Sequence, residues 1–476
     1  RSKRKRMRIV YSIITIIILI STTFSQQNKD DWPNLKRYQS DNDSVKNSKK
    51  KSPRVIFIGN SITEGWDWHY PEFFEKNKNY INRGISGQTT PQMLVRFRQD
   101  VVDLNPDIVV ILAGINDIAE NTGPSTVKSI TDNIISMSEI ALANNIKVIL
   151  SSILPASDFP WRPEIEPPYK ILKINSILQT YSLKNDMIYL DYFSEMYDGK
   201  DGLIKEYGAD SVHPNKSGYL IMSRLVKKAI SKALTFTEDS NELNLYNKAN
   251  WISSNGDRLA YRYRKPENFK PNKKYPLLLF LHGSGGRGSD NEQQLWDANS
   301  IGAFAKQKIS SKYQTYIFAP QVPNGERWVS TNWNTENYSL IPISRAMRQT
   351  FEALDSFIDK NQNVDTNRIY VMGMSMGGWG AWDAISRRPN YFAAAVPICG
   401  GGDPDQALNI KNVNIWAWHG ENDNVIDVAQ SQQMVSAVKK QKGNIIFTEV
   451  KSRGHDSWLD VWNHKELWKW LYDQRK

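Results

Sequence analysis

Short apolar runs alternate with longer stretches of helical periodicity through the first half of this 476-residue chain. The run at 54–58 is rich in β-branched and aromatic residues and ends at Gly59, as a buried strand does. Similar runs recur at 107–112, 146–151 and 187–190. The stretches between the runs, such as 125–144, have the periodicity of amphipathic helices. This alternation predicts a β-α-β unit with a parallel sheet.

A second alternation follows residue 250. Its strand-like runs lie at 261–263, 276–281, 316–319, 368–372, 393–398, 413–418 and 445–450. Before it, 215–233 predicts an amphipathic closing helix, and 234–250 has the mixed polar character of a connection. No sequence repeat relates the two halves. We therefore predict two α/β domains of different fold, at 53–235 and 251–476, with a linker at 236–250.

The N-terminus departs from this pattern. A basic stretch up to Arg8 precedes an almost wholly apolar run of about 12 residues at 9–20. A segment of mostly small, polar residues follows at 21–25. The run is shorter than the roughly 20 residues that span a bilayer. The order predicts a secretory signal over 1–25 and a secreted or periplasmic bacterial protein with no stable membrane association after cleavage. An uncleaved anchor is the alternative. The lysine-rich segment 26–52 lacks periodicity, which predicts a tether or disordered lead-in.

Composition and charge narrow the class of protein. A hydrophobic content of 40% is typical of globular domains. The net charge of +11 is compatible with nucleic-acid binding, but six of the basic residues precede the apolar run. No basic, aromatic-studded motif follows, so nucleic acid is not an expected partner. The single cysteine, Cys399, excludes an internal disulfide, and its place at a strand end predicts a small buried residue rather than a nucleophile. No cluster of His, Cys and Asp has the spacing of metal ligands, so no metal is expected. The sequence also lacks a glycine-rich phosphate-binding loop, so no cofactor is expected.

The first half carries one set of hydrolytic residues. Ser61 follows a predicted buried strand directly, at the carboxyl edge where ligand sites of parallel sheets form. His213 is a candidate base for its hydroxyl, and Asp210, three residues earlier, is a candidate partner that orients the imidazole. Gly84 and Asn116 are candidate oxyanion donors, through a backbone N–H and a side-chain amide.

In order, approximate spacing and strand context, these residues resemble the SGNH (GDSL-type) hydrolase family over residues 54 to about 233. The four letters of its name correspond here to Ser61, Gly84, Asn116 and His213. The resemblance implies a flavodoxin-like α/β/α sandwich and a serine esterase. The segment around the first serine reads Gly-Asn-Ser here, whereas the name GDSL refers to Gly-Asp-Ser at this place. This departure leaves the serine in position.

A second set occupies the other half. The segment 373–377, Gly-Met-Ser-Met-Gly, follows a predicted strand as a nucleophile elbow does, with glycines on both sides of Ser375. Upstream, the turn after 279–281 makes the backbone N–H of Ser284 a candidate oxyanion donor, together with that of Met376. Downstream, two further strands run into Asp423 and His455, the candidate acid and base. Asp427 is a rival for the acid, but it lies farther from its strand end.

The chain order Ser, Asp, His at successive strand ends resembles the α/β-hydrolase superfamily over about residues 245 to 476. Within it, three segments resemble secreted esterases of the group that includes feruloyl esterases, polyhydroxybutyrate-depolymerase-like enzymes and predicted peptidases. These segments are the glycine turn at 282–286, Gly-Trp-Gly at 378–380 and His-Asp-Ser-Trp at 455–458.

Several other histidines and tryptophans are alternative candidates for a role in the sites. His282 and His419 each precede a glycine at a strand end, where a structural role is the expected one. His69 and His464 are expected to be ordinary surface or core residues. Tryptophan is frequent, at 16 residues, and flat rings near a site can stack on sugars or phenolic acids, although packing in the core is the simpler expectation. The candidates near the two serines and His455 in sequence are Trp66, Trp68, Trp379, Trp382 and Trp458.

The two resemblances imply a bifunctional carbohydrate esterase whose partner is an acylated polysaccharide or oligosaccharide. They imply acetyl release by the first domain and release of a bulkier acid such as ferulate by the second. Three alternatives stay open from the sequence: a lipase or phospholipase, a peptidase in the second domain, and a glycan-binding domain without catalysis.

Overall fold

The computed structural model describes residues 31–50, 53–235, 242–297, 300, 311–331 and 342–476. These residues form two compact units that are not contiguous along the chain. One unit holds the described residues up to Pro167, with Leu190–Met196 and Leu203–Leu234; the other holds Pro168–Tyr189, Tyr197–Gly202 and Thr235–Lys476. The predicted signal segment lies outside the described residues. Among the described residues, no helix has both the length and the apolar character needed to cross a membrane.

A five-stranded sheet is built by the chain up to residue 190. Its strands are β1 (Val55–Gly59), β2 (Tyr80–Gly84), β3 (Ile108–Leu112), β4 (Lys147–Ser151) and β5 (Ile188–Leu190). The order is β2-β1-β3-β4-β5, and β1 pairs in parallel with both β2 and β3. This is the flavodoxin-like order, with a topological switch point between β1 and β3. The predicted flavodoxin-like α/β fold is confirmed.

Helices alternate with these strands along the chain. Up to Thr235 they are α1 (Gln39–Asn47), α2 (Ser61–Glu64), α3 (Trp66–His69), α4 (Glu72–Lys76), α5 (Thr90–Asp100), α6 (Ile115–Ile118), α7 (Val127–Ala143), α8 (Pro167–Lys184), α9 (Phe193–Met196) and α10 (Lys216–Thr235). Helix α7 begins where the Thr126 side chain accepts the N–H of Ser129 in a capping box. The strands are apolar on both faces, as expected for a sheet covered on both sides: every residue of β1 and β3 is buried.

The lead-in before β1 is not the tether that its polar composition predicts. Helix α1 lies within it, and Asn42 of this helix is buried at 3% exposure. The Asn42 amide donates to Asp100 over 2.7 Å, and its carbonyl oxygen accepts from Arg83 over 2.9 Å. Because these buried polar partners satisfy one another, the helix is held without a large apolar face. The expectation of disorder was wrong for the described part of this segment.

A mixed eight-stranded sheet is built by the chain after residue 246. Its strands are β6 (Asn247–Ile252), β7 (Arg258–Arg264), β8 (Tyr275–Leu281), β9 (Tyr316–Pro320), β10 (Val364–Met374), β11 (Ala394–Ile398), β12 (Asn414–Gly420) and β13 (Ile445–Val450). The order is β13-β12-β11-β10-β8-β9-β7-β6. Strand β7 is antiparallel to β6 and β9, and the remaining pairs are parallel. The predicted α/β-hydrolase fold is confirmed. Strand β6 begins inside the stretch that was predicted to be a linker.

The described helices after residue 242 flank this sheet. They are α11 (Gln293–Trp296), α12 (Arg345–Lys360), α13 (Met376–Arg387), α14 (Ala407–Ile410), α15 (Ala429–Lys440), α16 (Trp458–Asn463) and α17 (Lys465–Asp473). Helix α13 follows β10 directly, and all but the last of its residues are buried. Since β8 is also buried throughout, the end of β10 is held rigidly between core elements.

Candidate active sites

The structure brings Ser61, His213 and Asp210 together. Ser61 Oγ lies 3.0 Å from His213 Nε2, and His213 Nδ1 lies 2.9 Å from Asp210 Oδ2. The hydroxyl thus lies within reach of a base whose other ring nitrogen contacts a carboxylate, as nucleophilic catalysis by serine requires.

The fold explains why Ser61 projects at the sheet edge. Strand β1 ends at Gly59, where an added Cβ would lie 1.9 Å from Thr63 Oγ1 and 2.8 Å from the Leu112 carbonyl oxygen. Glycine therefore lets the chain turn at once into α2, whose first residue is Ser61. Strand β1 borders the switch point of the sheet, where ligands of doubly wound folds bind.

Asp210 is held as a carboxylate. Its Oδ1 accepts the backbone N–H groups of Val212 and His213 over 2.7 and 2.6 Å. Partial burial alone would raise the pKa of Asp210, but these N–H groups and the imidazole of His213 outweigh it and lower the pKa. A carboxylate fixed in this way orients the imidazole with Nε2 toward Ser61.

Asn116 lies at the opposite side of the switch point, in α6 after β3. It is 4% exposed, and its Nδ2 donates one hydrogen to the Gln88 carbonyl oxygen over 3.0 Å. An amide group has two hydrogens, and no acceptor in the described part of the chain takes the other. Asn116 is therefore oriented by one bond and free to donate a second to a ligand.

Gly84 does not fit the predicted oxyanion role. Its N–H already donates to Asn82 Oδ1 over 2.8 Å, and its carbonyl oxygen accepts from the Tyr38 hydroxyl. Gly87 fits better. Its φ of 78° is in the left-handed region, an added Cβ would meet nothing within 4 Å, and its N–H has no acceptor among the residues that the structure describes. Asn116 donates to the carbonyl oxygen of Gln88, the residue after Gly87, so Gly87 lies close to the other candidate donor. The geometry therefore favours Gly87 over Gly84 as the backbone donor.

Arg96 is a buried residue that the sequence patterns did not single out. Its side chain is fully buried and donates to the Gly59 carbonyl oxygen over 2.9 Å and to Gln88 Oε1 over 2.6 Å. A salt bridge of 2.9 Å with Asp100 compensates its charge. One guanidinium thus connects the strand end before Ser61 to the residue that holds Asn116. No short motif marks this role, because the contacts arise only from folding.

Asp117, next to Asn116, has a different role from Asp210. Burial raises its pKa to about 6, although the N–H and hydroxyl of Thr90 both donate to it. These bonds connect α6 to the start of α5. Asp117 therefore has a structural role beside the first site, whereas Asp210 contacts His213.

The second site is assembled in the same way by other elements. Ser375 Oγ lies 2.7 Å from His455 Nε2, and His455 Nδ1 lies 2.8 Å from Asp423 Oδ2. Asp423 also accepts the N–H groups of Val425 and Ile426, each over 2.9 Å. Burial alone would raise the pKa of Asp423, but its bonds with His419 and His455 hold the pKa well below the usual range. The rival Asp427 instead accepts the N–H of Ala429.

Ser375 has the backbone conformation of a nucleophile elbow. Its φ is 55° and its ψ is −119°, a region that a residue with a side chain rarely adopts. The flanking glycines are required by close backbone contacts: an added Cβ would lie 2.1 Å from the Gly377 carbonyl oxygen at Gly373, and 1.9 Å from the Leu281 carbonyl oxygen at Gly377. The strand-to-helix turn thus presents the Ser375 hydroxyl outward from β10.

Ser284, next to Gly283, and Met376, directly after Ser375, both keep free backbone N–H groups. Neither N–H has an acceptor among the described residues. Gly283, next to Ser284, is close to the nucleophile: an added Cβ there would lie 3.5 Å from Ser375 Cβ. The two N–H groups therefore remain candidate donors to an oxyanion formed at Ser375.

Asp297 is a second carboxyl group beside this turn, and the sequence analysis missed it. Its oxygens lie 2.8 and 2.6 Å from the positions of an added Cβ at Gly283 and Gly285. Its Oδ2 is buried, and no donor among the described residues meets the distance and angle of a hydrogen bond to it. Burial raises the pKa of Asp297 to about 6, while the N–H groups of Gly283 and Gly286 and the charge of His455 act in the opposite direction.

His282 and Cys399 have structural roles near the second site. Burial lowers the pKa of His282 to about 4, and its Nε2 accepts the N–H of Val322 over 3.0 Å. Burial raises the pKa of the Cys399 thiol to about 12, and its Sγ lies 2.8 Å from Ser457 Oγ. The ligand atoms of Cys399, His419 and Asp423 lie within 4.8 Å of one another. The Asp423 carboxylate in this cluster is bound by the imidazoles of His419 and His455, so it belongs to the hydrogen-bond network of the triad.

The tryptophans chosen for their sequence positions are mostly core residues. Trp66, Trp379 and Trp382 are at most 1% exposed. Trp68 is 63% exposed, and Trp458 lies edge-on to His455 at a ring-centroid distance of 5.4 Å. The tryptophan beside the first site is instead Trp161, whose ring centroid lies 6.0 Å from that of His213.

Comparison with known families agrees with both geometries. Residues 57–221 match the GDSL-like Lipase/Acylhydrolase family, and residues 334–452 match the Dienelactone hydrolase family. The chain joins a GDSL-like acylhydrolase domain to an α/β-hydrolase domain. The two resemblances found in the sequence are thereby confirmed, and both matched families are families of hydrolases.

Individual relatives of this GDSL-like and α/β-hydrolase chain match only parts of it. A bifunctional acetylxylan esterase/xylanase of Neocallimastix patriciarum is 29% identical over 37% of this chain and 23% of its own length. Feruloyl esterase D of Neurospora crassa is 25% identical over 40% of this chain and 61% of its own. A GDSL-like lipase structure from Bacteroides thetaiotaomicron is 49% identical, covers 42% of this chain and 98% of its own, and has a TM-score of 0.41. The chain thus spans less than two thirds of the curated relatives it matches.

Proposed function

We propose that this protein is a secreted bifunctional serine esterase that removes acyl groups from plant cell-wall polysaccharide. The GDSL-like domain would release acetate, and the α/β-hydrolase domain would release a bulkier acid such as ferulate. The observation that carries the proposal is the presence of two complete Ser–His–Asp arrangements in one chain. The names of the relatives, an acetylxylan esterase/xylanase and a feruloyl esterase, support the choice of substrate.

In both sites the chemistry passes through an acyl-enzyme. Serine Oγ attacks the ester carbonyl carbon while histidine Nε2 takes the hydroxyl proton. The tetrahedral intermediate then expels the sugar alcohol, and histidine returns the proton to the leaving oxygen. A water molecule attacks the acyl-serine, histidine accepts its proton, and the free acid leaves as the serine hydroxyl is restored.

The donors that stabilise the oxyanion differ between the sites. In the first site we assign this role to the Asn116 amide and the Gly87 N–H, and in the second to the N–H groups of Ser284 and Met376. Donors directed at the developing negative charge contribute most when they are already oriented, as Asn116 is by its bond to Gln88.

A substrate panel tests this proposal. Purified protein should release acetate from acetylated xylan and ferulate from methyl ferulate, and it should act weakly on long-chain nitrophenyl esters and on peptides. Peptide cleavage or long-chain ester hydrolysis in preference to both of these substrates would contradict the carbohydrate-esterase proposal. Binding of xylan without turnover of any ester would indicate a non-catalytic glycan-binding protein.

A further inference from the structure

Trp161 lies on a loop of the first unit and contacts both His213, the base of the first site, and Asn121, which follows the helix that carries Asn116. The indole is 41% exposed, and its plane is inclined by 34° to the imidazole of His213 at a centroid distance of 6.0 Å. Its Nε1 donates to Asn121 Oδ1 over 3.4 Å. Since Asn121 follows α6, the ring extends from the segment that carries Asn116 toward His213.

Contacts on both sides hold this loop in place. Ser211, two residues before His213, donates its hydroxyl to Asp158 Oδ1 over 2.9 Å. On the other side, the Arg162 guanidinium lies 3.5 Å from the Glu120 carboxylate. Phe159, which is fully buried, packs beneath the indole at a centroid distance of 5.4 Å. Trp161 is thus an exposed aromatic face on an anchored support.

The position of the ring indicates which part of the substrate it contacts. His213 returns the proton to the leaving alcohol, so a surface beside its imidazole lies on the alcohol side of the ester. A large flat indole contributes apolar contact area, and a sugar ring presents C–H groups that can stack on it.

The surroundings of the indole favour a sugar over a lipid. The indole donates to Asn121, and its loop is held through the polar side chains of Asp158, Arg162 and Glu120, which are groups of the kind that bind hydroxyls. A long acyl or alkyl chain would instead need a continuous apolar wall.

We propose that Trp161 is a stacking platform for the sugar ring that carries the ester, and that it selects carbohydrate alcohols at the first site. This inference rests on the proposed function, since it names the alcohol that the first site accepts. Trp161 is a specificity-determining residue: it contacts the leaving group and takes no part in proton transfer.

The experiment compares a sugar ester with a small ester in the full chain carrying Ser375→Ala, so that only the first site acts. The substrates are an acetylated xylo-oligosaccharide and ethyl acetate, whose leaving alcohol is too small to stack. Trp161→Ala should lower kcat/KM about ten-fold for the oligosaccharide, mainly through KM, and leave ethyl acetate nearly unchanged. Trp161→Tyr should restore most of the loss. Trp68→Ala, at an exposed tryptophan of the same unit, should match the parent.

The outcomes separate this inference from the proposed function. If the parent protein hydrolyses ethyl acetate but not the acetylated oligosaccharide, the carbohydrate function fails and the inference fails with it. If the parent acts on both, equal losses for both substrates in Trp161→Ala would mean that the ring only supports His213. An unchanged kcat/KM for the oligosaccharide in Trp161→Ala, or a loss in Trp68→Ala instead, would also overturn the assignment of the platform.

Discussion

The Ser375 hydroxyl lies 2.7 Å from Nε2 of His455, 80 positions later in the chain, and the same ring is bound by Asp423. A separate pair, Ser61 and His213, meets at 3.0 Å in the first unit. Each pair is complete without a residue of the other. A substitution in one triad is therefore expected to leave the other triad active.

The first prediction concerns the triad of the GDSL-like domain. With Ser375→Ala as background, Ser61→Ala and His213→Ala should each lower kcat for acetate release by at least about 10³-fold, because triad members act as a unit. Asp210→Asn should retain about 10²-fold more activity than either, since it orients the base but does not transfer the proton. Steady-state release of acetate measures all three. Loss in Asp210→Asn alone, with His213→Ala active, would exclude His213 as the base.

The second prediction tests the amide of Asn116. Asn116→Ala should lower kcat for acetate release by about 10²- to 10³-fold with little change in KM, because the oxyanion donor acts mainly in the transition state. Asn133→Ala is the matched control: its amide bonds the Thr90 hydroxyl over 3.0 Å, away from the proposed donors. Near-parental turnover in Asn116→Ala would remove this amide from the site.

The third prediction concerns backbone strain at the elbow. Ser375→Ala and Ser375→Gly both remove the hydroxyl, but only glycine adopts a φ of 55° without steric cost. Ser375→Gly should therefore be more stable than Ser375→Ala by about 1 kcal/mol. Chemical denaturation of the two variants measures the difference. A more stable alanine variant would show that the elbow conformation is not strained.

The fourth prediction is a pH dependence of stability caused by Asp297. Its folded pKa of about 6 exceeds the ordinary value of 3.8, so the unfolded chain loses this proton first as the pH rises. Asp297 therefore destabilises the fold progressively between about pH 4 and pH 6. Asp297→Asn lacks this effect, so its Tm relative to wild type should rise over that interval and level off above it. Differential scanning calorimetry across pH 4 to 8 measures the trend.

Asp290 is the control for this trend, because its pKa is lowered in the folded protein whereas that of Asp297 is raised. Burial alone would raise its pKa, but the N–H of Gln293 and the amide of Gln321 lower it. Asp290→Asn should therefore show no rise in relative Tm between pH 4 and pH 6. A flat profile for Asp297→Asn would mean that Asp297 is not held in its neutral form by burial.

Sequence patterns predicted the elements that carry the two serines. The runs that end at Gly59 and before Ser375 predicted buried strands, and the glycines around Ser375 predicted a turn that only glycine tolerates. Patterns failed where contacts come from distant segments. The polar composition around Asn42 concealed a helix held by buried polar partners. Trp379 and Trp382, by contrast, pack in the core, which was the simpler expectation for them.

Two of the residues that the sequence analysis missed, Trp161 and Asp297, escaped it for the same reason. Trp161 approaches His213, and Asp297 approaches Gly283, only after folding, and neither lies in a recognisable motif. The choice between Gly84 and Gly87 likewise depends on which N–H is already bonded, which a motif does not record.

The most direct test of the account is activity in the two single serine variants and the double variant of the full chain. Ser61→Ala should abolish acetate release from acetylated xylan and leave ferulate release from methyl ferulate intact. Ser375→Ala should do the reverse, and the double variant should do neither. If either single variant loses both activities, or the double variant retains one, the two-site account is wrong.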